Sequence, residues 1–371
     1  MERYRGAMPR SSLRLFPSLF VPFQKANMDL FALTRTLVDI ESVTCNELGA
    51  GEFLFRHLST LAGKSGGRVE RLPVEAHRFN VFASWGRPVI TLSTHMDTVP
   101  PFFPSREDQE CIWGRGACDA KGIIAAMILA AEKLLGDGVS NFGLLFLVGE
   151  ERNSAGALAA AKTPRGSRYL INGEPTENKL CLSSKGALRL ELLAKGRAAH
   201  SGYPELGISA IDALLGVLHD LRCLSLPEDA ALGQTTLNIG TISGGRAPNV
   251  IADEARAEIM FRLVSDADLV REAVHRAVGD RAEVREVHFT PVFKFMAFEG
   301  LPTTTVAFTT DVPALNPSWG QPFLIGPGSI HVAHTAEERI AKQQLRDAVE
   351  IYARLVRRLL VLPVVTTGQL P

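Results

Sequence analysis

Between Ala120 and Leu135 the chain is almost entirely Ala, Ile, Leu and Met, with Asp119 before it and Gly136 after it. Aspartate ahead of an apolar run and glycine behind it are helix start and stop signals, with Asp119 read as the N-cap. A helix this apolar cannot lie on a surface, so it has to pack against a sheet. The surrounding sequence supplies one. Val69–Val74, Asn80–Trp85, Val89–Leu92, Phe142–Val148 and Arg168–Asn172 read as strands, and Asp29–Ile40, Gly51–Leu61 and Ser154–Ala161 as helices. Strands alternating with helices predict an α/β fold, a mostly parallel sheet flanked by helices.

The texture changes after about Glu177. Ala187–Ala194, Ile208–Leu224, Thr235–Ile242, Val250–Leu263, Asp266–Val278 and Ala282–His288 read as strand, helix, strand, strand, helix, strand. That order is a ferredoxin-like α+β unit. It reads as an insertion at 179–291, because α/β texture resumes with the strand Gln321–Ile325 and a closing helix over Ala336–Leu360. Pro363 sets a stop beyond that helix. The first domain is therefore split between residues 28–178 and 292–371. Residues 1–27 are basic and broken by prolines, without the apolar core of a secretory signal, and read as a disordered leader.

Charge narrows the function. With 40 basic and 40 acidic residues the net charge is zero, which gives no footprint for nucleic acid or an anionic membrane. No apolar run is long enough to span a bilayer. The five cysteines form no C-x-x-C and read as free thiols, the state expected of a cytoplasmic protein.

Open parallel sheets bind ligands beyond the carboxyl ends of their strands. His95, the pair Glu150-Glu151, and Glu174 each follow such an end, and Asp119 opens the apolar helix. With His334 these residues form a ligand set for two divalent cations: imidazole and carboxylate donors, with three carboxylates to balance the metal charge. Glu150 and Glu151 are adjacent and cannot face the same way along an extended chain. One can ligate while the other stays free as a base. Asp97, two residues past His95, can hold the imidazole's second N–H. Gly63-Lys64-Ser65-Gly66-Gly67 matches a nucleophile-elbow pattern in letters only, since it follows a helix in a polar loop.

These residues carry a resemblance. T-H-M-D-T-V-P at 94–100, G-R-G-A-C-D-A-K-G at 114–122, Gly149-Glu150-Glu151, Gly173-Glu174-Pro175 and G-P-G-S-I-H-V-A-H-T-A-E-E at 326–338 are similar to the motifs of one metallopeptidase and amidohydrolase family. Its members include acetylornithine deacetylase, succinyl-diaminopimelate desuccinylase, aminoacylase and the glutamate-releasing carboxypeptidases. The resemblance runs from about Met28 to Leu360. It implies two Zn²⁺ (or Co²⁺) ions per subunit, bridged by Asp119. His95 and Glu174 would complete one site, and Glu151 and His334 the other. His334 rather than His331 fits, because it stands four residues before Glu338. Glu150 would be the general base, and the peptide after Asp119 would be cis.

The resemblance further implies that the inserted unit is a lid and dimerisation domain of a homodimer. His200 in G-R-A-A-H-S-G would reach the partner's active site as an oxyanion donor. Asn249 and Arg262 would hold a substrate carboxylate. The expected reaction is hydrolysis of an N-acyl amino acid, N-acetylornithine or a close relative first. Desuccinylation and dipeptide or carboxypeptidase cleavage are the alternatives, and a catalytically silent binding module is the rival of a different class. Phe308-Thr309-Thr310-Asp311 departs from the family's usual Gly-Gly-Ser/Thr-Asp, which weakens any inference about the substrate side chain.

Overall fold

The computed structural model describes residues 28–362. The expected leader at 1–27 and the stop at Pro363 lie outside the described residues. Among those residues, the larger of the sheets has nine strands. Its centre is formed by Phe142–Leu147, Ile90–His95, Tyr169–Asn172 and Gln321–Leu324, neighbours in that order and all parallel. The edges are mixed. Arg68–Glu75 and Arg78–Trp85 form an antiparallel hairpin on one side. On the other, Leu180–Ser184 pairs antiparallel to Gln321–Leu324.

The apolar helix spans Lys121–Gly136, and eleven of its residues are buried. It packs with the closing helix, Lys342–Leu360, into one core that also takes in Leu92, Leu144, Phe146 and Ile171 from the sheet. Each fully buried Leu, Ile or Met there contributes roughly 1.5–3 kcal/mol relative to exposure. Two expectations about helix starts need correction. Asp119 is not the N-cap: the helix starts two residues later, and Ala120 occupies the cap position without a side-chain bond. The closing helix does not begin at Ala336. Arg339–Ala341 is a strand paired with Cys111–Trp113, and the helix follows it.

The second sheet runs Thr236–Gly244, Glu254–Leu263, Gly186–Lys195, Glu283–Thr290, all antiparallel. Its connecting helices are Ala210–Arg222 and Ala267–Val278. With strands numbered by chain order this is 2-3-1-4, the ferredoxin-like arrangement. Leu214, Val217, Val270 and Val274 of the helices cluster with Leu190, Leu192, Ile259 and Phe261 of the strands, so both helices cover one face. Alternation then places Arg256, Glu258, Met260 and Arg262 on the other face. The boundary expected at 179 moves: Leu180–Ser184 belongs to the large sheet, so the small one begins at Gly186. Among the described residues, no helix is long and apolar enough to cross a membrane.

Candidate metal centre

Three of the four central strands end at the same place. His95 is the last residue of its strand, Glu150 and Glu151 open a short helix just past Leu147, and Glu174 follows Asn172. Asp119 reaches this point from the loop before the apolar helix, and the Asp119–Ala120 peptide is cis. His334 arrives from the loop after the fourth strand, in a left-handed backbone conformation.

Asp119 lies between the two histidines. Its Oδ1 is 2.9 Å from His95 Nε2, and its Oδ2 is 3.3 Å from His334 Nε2. His334 Nε2 also sits 2.9 Å from Glu151 Oε2. His95, Asp119 and Glu151 each offer a ligand atom, all within 4.8 Å of one another. Glu174 is buried beside them, and its Oε1 has no hydrogen-bond partner among the described residues. Imidazole nitrogens, carboxylate oxygens and an orphaned buried oxygen are a donor set that fits a pair of divalent cations. The structure thus brings His95, Asp119, Glu151 and His334 into contact, with Glu174 buried within reach of their charge. His331 is exposed and makes no contact with them among the described bonds.

Charge dominates this cluster. Burial disfavours a charged His95, but its bonds to Asp119 and Asp97 win and push its pKa well up. Bonds to Asp119 and Glu151 raise His334 to about 10. Burial works against a charged Asp119, but the two histidines hold it well below the usual carboxylate range. Glu174 and Glu150 are driven well up, foremost by burial, which prevails over the pull of His95, with neighbouring acids including Asp311 and Glu151 adding to the rise. An acid cluster of this density is one that bound cations would stabilise.

Asp97 does more than hold His95. The Nδ1 of His95 lies 3.0 Å from the backbone carbonyl of Asp97, closer than the 3.5 Å to its carboxylate. The Asp97 carboxylate instead accepts the backbone N–H of Glu150 at 3.1 Å and of Glu151 at 3.2 Å, and the Thr44 hydroxyl at 2.8 Å. It therefore caps the helix that carries both glutamates. Successive helical residues point about 100° apart. Glu151 turns to His334, and no hydrogen bond or ion pair joins the Glu150 carboxylate to either histidine among the described contacts. Gly326 keeps this corner open, because a Cβ there would fall 2.5 Å from the Glu174 carbonyl oxygen.

The remaining expected residues lie on the inserted unit. His200 is exposed, its Nδ1 accepts the Gly202 N–H, and no described contact joins it to the ligands. The Asn249 carbonyl accepts the Ser201 N–H, and His200 bridges Val250, so the His200 and Asn249 loops are tied to each other. Arg262 is half-buried on the helix-free face of its sheet, has no acidic partner among the described residues, and its pKa is lowered by burial.

Two participants were not assigned to this centre by the sequence. Asp311 is buried, neither of its carboxylate oxygens has a hydrogen-bond partner among the described residues, and burial foremost lifts it to about 7. Its field reaches Glu150 and Glu174. The departure at 308–311 was the only signal for it. Thr44 is the other, and a lone threonine in a loop gives no signal at all.

The profile of peptidase family M20/M25/M40 matches residues 91–358. A peptidase M20 domain-containing protein of Schizosaccharomyces pombe is 37% identical, over 89% of this chain and 85% of its own length. A "probable carboxypeptidase" of Aspergillus flavus is 38% identical, over 87% and 85%. Among solved structures, the M20 family metallo-carboxypeptidase Sso-CP2 of Sulfolobus solfataricus superposes with a TM-score of 0.72 at 15% identity, over 90% of this chain and all of its own. The YXEP protein of Bacillus subtilis, described as a dinuclear metal binding peptidase of that family, gives 0.65 at 18%, over 90% and 98%. At those identities the two structures speak for the fold. The profile and these relatives, matched over 85% of their length, place the chain itself in peptidase family M20/M25/M40.

Proposed function

We propose that the chain is a two-metal hydrolase that cleaves an amide bond on the amino side of a residue with a free α-carboxylate. The observation that carries this reading is the separation of Glu150 from its neighbour: Glu151 turns to His334 and Asp119, while among the described residues the Glu150 carboxylate is in no hydrogen bond or ion pair. His95, Asp119, Glu151, Glu174 and His334 would hold the metals, zinc or cobalt. Bound there, such a pair supplies Lewis acidity and lowers the pKa of water. Glu150 takes a proton from the attacking water and delivers it to the leaving amine. Arg262 supports recognition of a carboxylate, because a half-buried guanidinium without an acid favours an anionic partner. Asn249 joins it.

The relatives named as carboxypeptidases favour a peptide's C-terminal residue as the leaving group. N-acetylornithine is the competing substrate. Amine release from a panel of dipeptides, N-acetyl and N-succinyl amino acids, run with zinc or cobalt and with a chelator control, tests both. We expect chelator-sensitive turnover of substrates with a free α-carboxylate and none of their amides. Equal turnover of the amides would remove Arg262 and Asn249 from the reading.

His200 is proposed to act across a homodimer, since it is exposed and no described contact joins it to the ligands of its own chain. Mixing inactive His200→Ala with inactive Asp119→Ala should restore part of the activity, because one hybrid site would carry both intact residues. Absence of recovery in a mixture shown to exchange subunits would rule the arrangement out.

A further inference from the structure

We propose that Glu338 is a positioning residue that fixes the ligands Asp119 and His334 relative to each other. Glu338 is 1% exposed and stands four residues past His334. Its Oε1 accepts the backbone N–H groups of Gly116 at 2.9 Å, Cys118 at 3.2 Å and Asp119 at 3.2 Å. Three peptide N–H groups converging on one oxygen form an anion nest, here filled by the chain's own carboxylate. The other oxygen, Oε2, pairs with the Arg115 guanidinium. Arg115 is equally buried, donates from Nε to the Pro101 carbonyl, and lies 4.9 Å from the Phe103 ring centroid. The Gly114 N–H donates to the Glu338 carbonyl.

One side chain thus ties together two loops 219 positions apart. Because one of its three donors is the Asp119 N–H, the clasp acts on the residue that contacts both histidines. The buried Arg115–Glu338 pair is neutral overall and hydrogen-bonded on both sides, the condition under which such a pair is tolerated in a core. Removing the acid strands a guanidinium and three N–H groups. Glutamine keeps an oxygen for the nest but loses the negative charge and the second acceptor that face the Arg115 guanidinium.

The proposal rests on the reading of Asp119 and His334 as metal ligands. The test uses the full chain. Zinc per subunit and zinc affinity are measured by competition with a chromophoric chelator, in wild type, Glu338→Gln and Glu338→Ala, alongside the Tm of each metal-free protein. We expect affinity to fall about tenfold in the glutamine variant and about 100-fold in the alanine variant, the range for residues that orient ligands. If the alanine variant does not fold, the glutamine variant decides. A purely structural role would lower the metal-free Tm and leave the zinc affinity of folded molecules at the wild-type value. That result overturns the clasp. A wild-type chain that takes up no zinc overturns the metal reading, and the clasp with it.

Discussion

Glu150→Gln is expected to lower kcat by roughly 10²–10⁴-fold, the range for losing a positioned general base, while zinc content stays at the wild-type value. The two halves of this result come from different atoms. The Glu150 backbone is held by Asp97, which caps its short helix, so the substitution leaves helix and ligands in place. The Glu150 carboxylate makes none of the described bonds to His95 or His334, so its charge is not part of the ligand set. Glutamine is close in size and cannot accept a proton. KM should change little, since an interaction that matters only as the proton moves lowers kcat and kcat/KM together. Steady-state kinetics paired with elemental analysis measures both. Activity within tenfold of wild type would transfer the base role elsewhere, with Asp311 the next buried acid in the cluster.

Much of the fold was legible because its signals are local. Strand ends fall where apolar runs stop, and the ligands follow those ends. The insertion announces itself by its order of elements. What failed was decided across the chain. Asp119 in front of an apolar run has the form of an N-cap, but its carboxylate is claimed by two histidines, one 24 positions upstream and one far downstream. Arg339–Ala341 has helical neighbours in sequence and becomes a strand because Cys111–Trp113 offers it an edge. Asp97 does partner His95 as its position suggests, but nothing local shows that its carboxylate also takes peptide groups 53 and 54 residues away. Glu338 served only as a spacing mark for His334, because nothing in its vicinity hints at a nest formed by residues 116–119.

Asp119→Ala is expected to remove both metals from a chain that still folds, and with them all amide hydrolysis. Each oxygen of Asp119 faces a different histidine, at 2.9 and 3.3 Å, so among the described residues it is the one carboxylate in contact with both. Loss of Glu174 or Glu151 removes a donor from one side. Loss of Asp119 removes one from each side and leaves Glu150, Glu151 and Glu174 to repel one another unbridged. The fold should persist, because the helix after Asp119 starts at Lys121 and draws its stability from buried Ile, Ala and Leu rather than from a cap. The comparison is zinc per subunit in wild type, Asp119→Ala and Glu174→Ala, with circular dichroism to establish folding. The expected order is two, none and one. An Asp119→Ala protein that keeps two ions would mean that the two sites share no ligand. One that keeps a single ion would assign Asp119 to one histidine alone, and the contact with the other would then be incidental to metal binding.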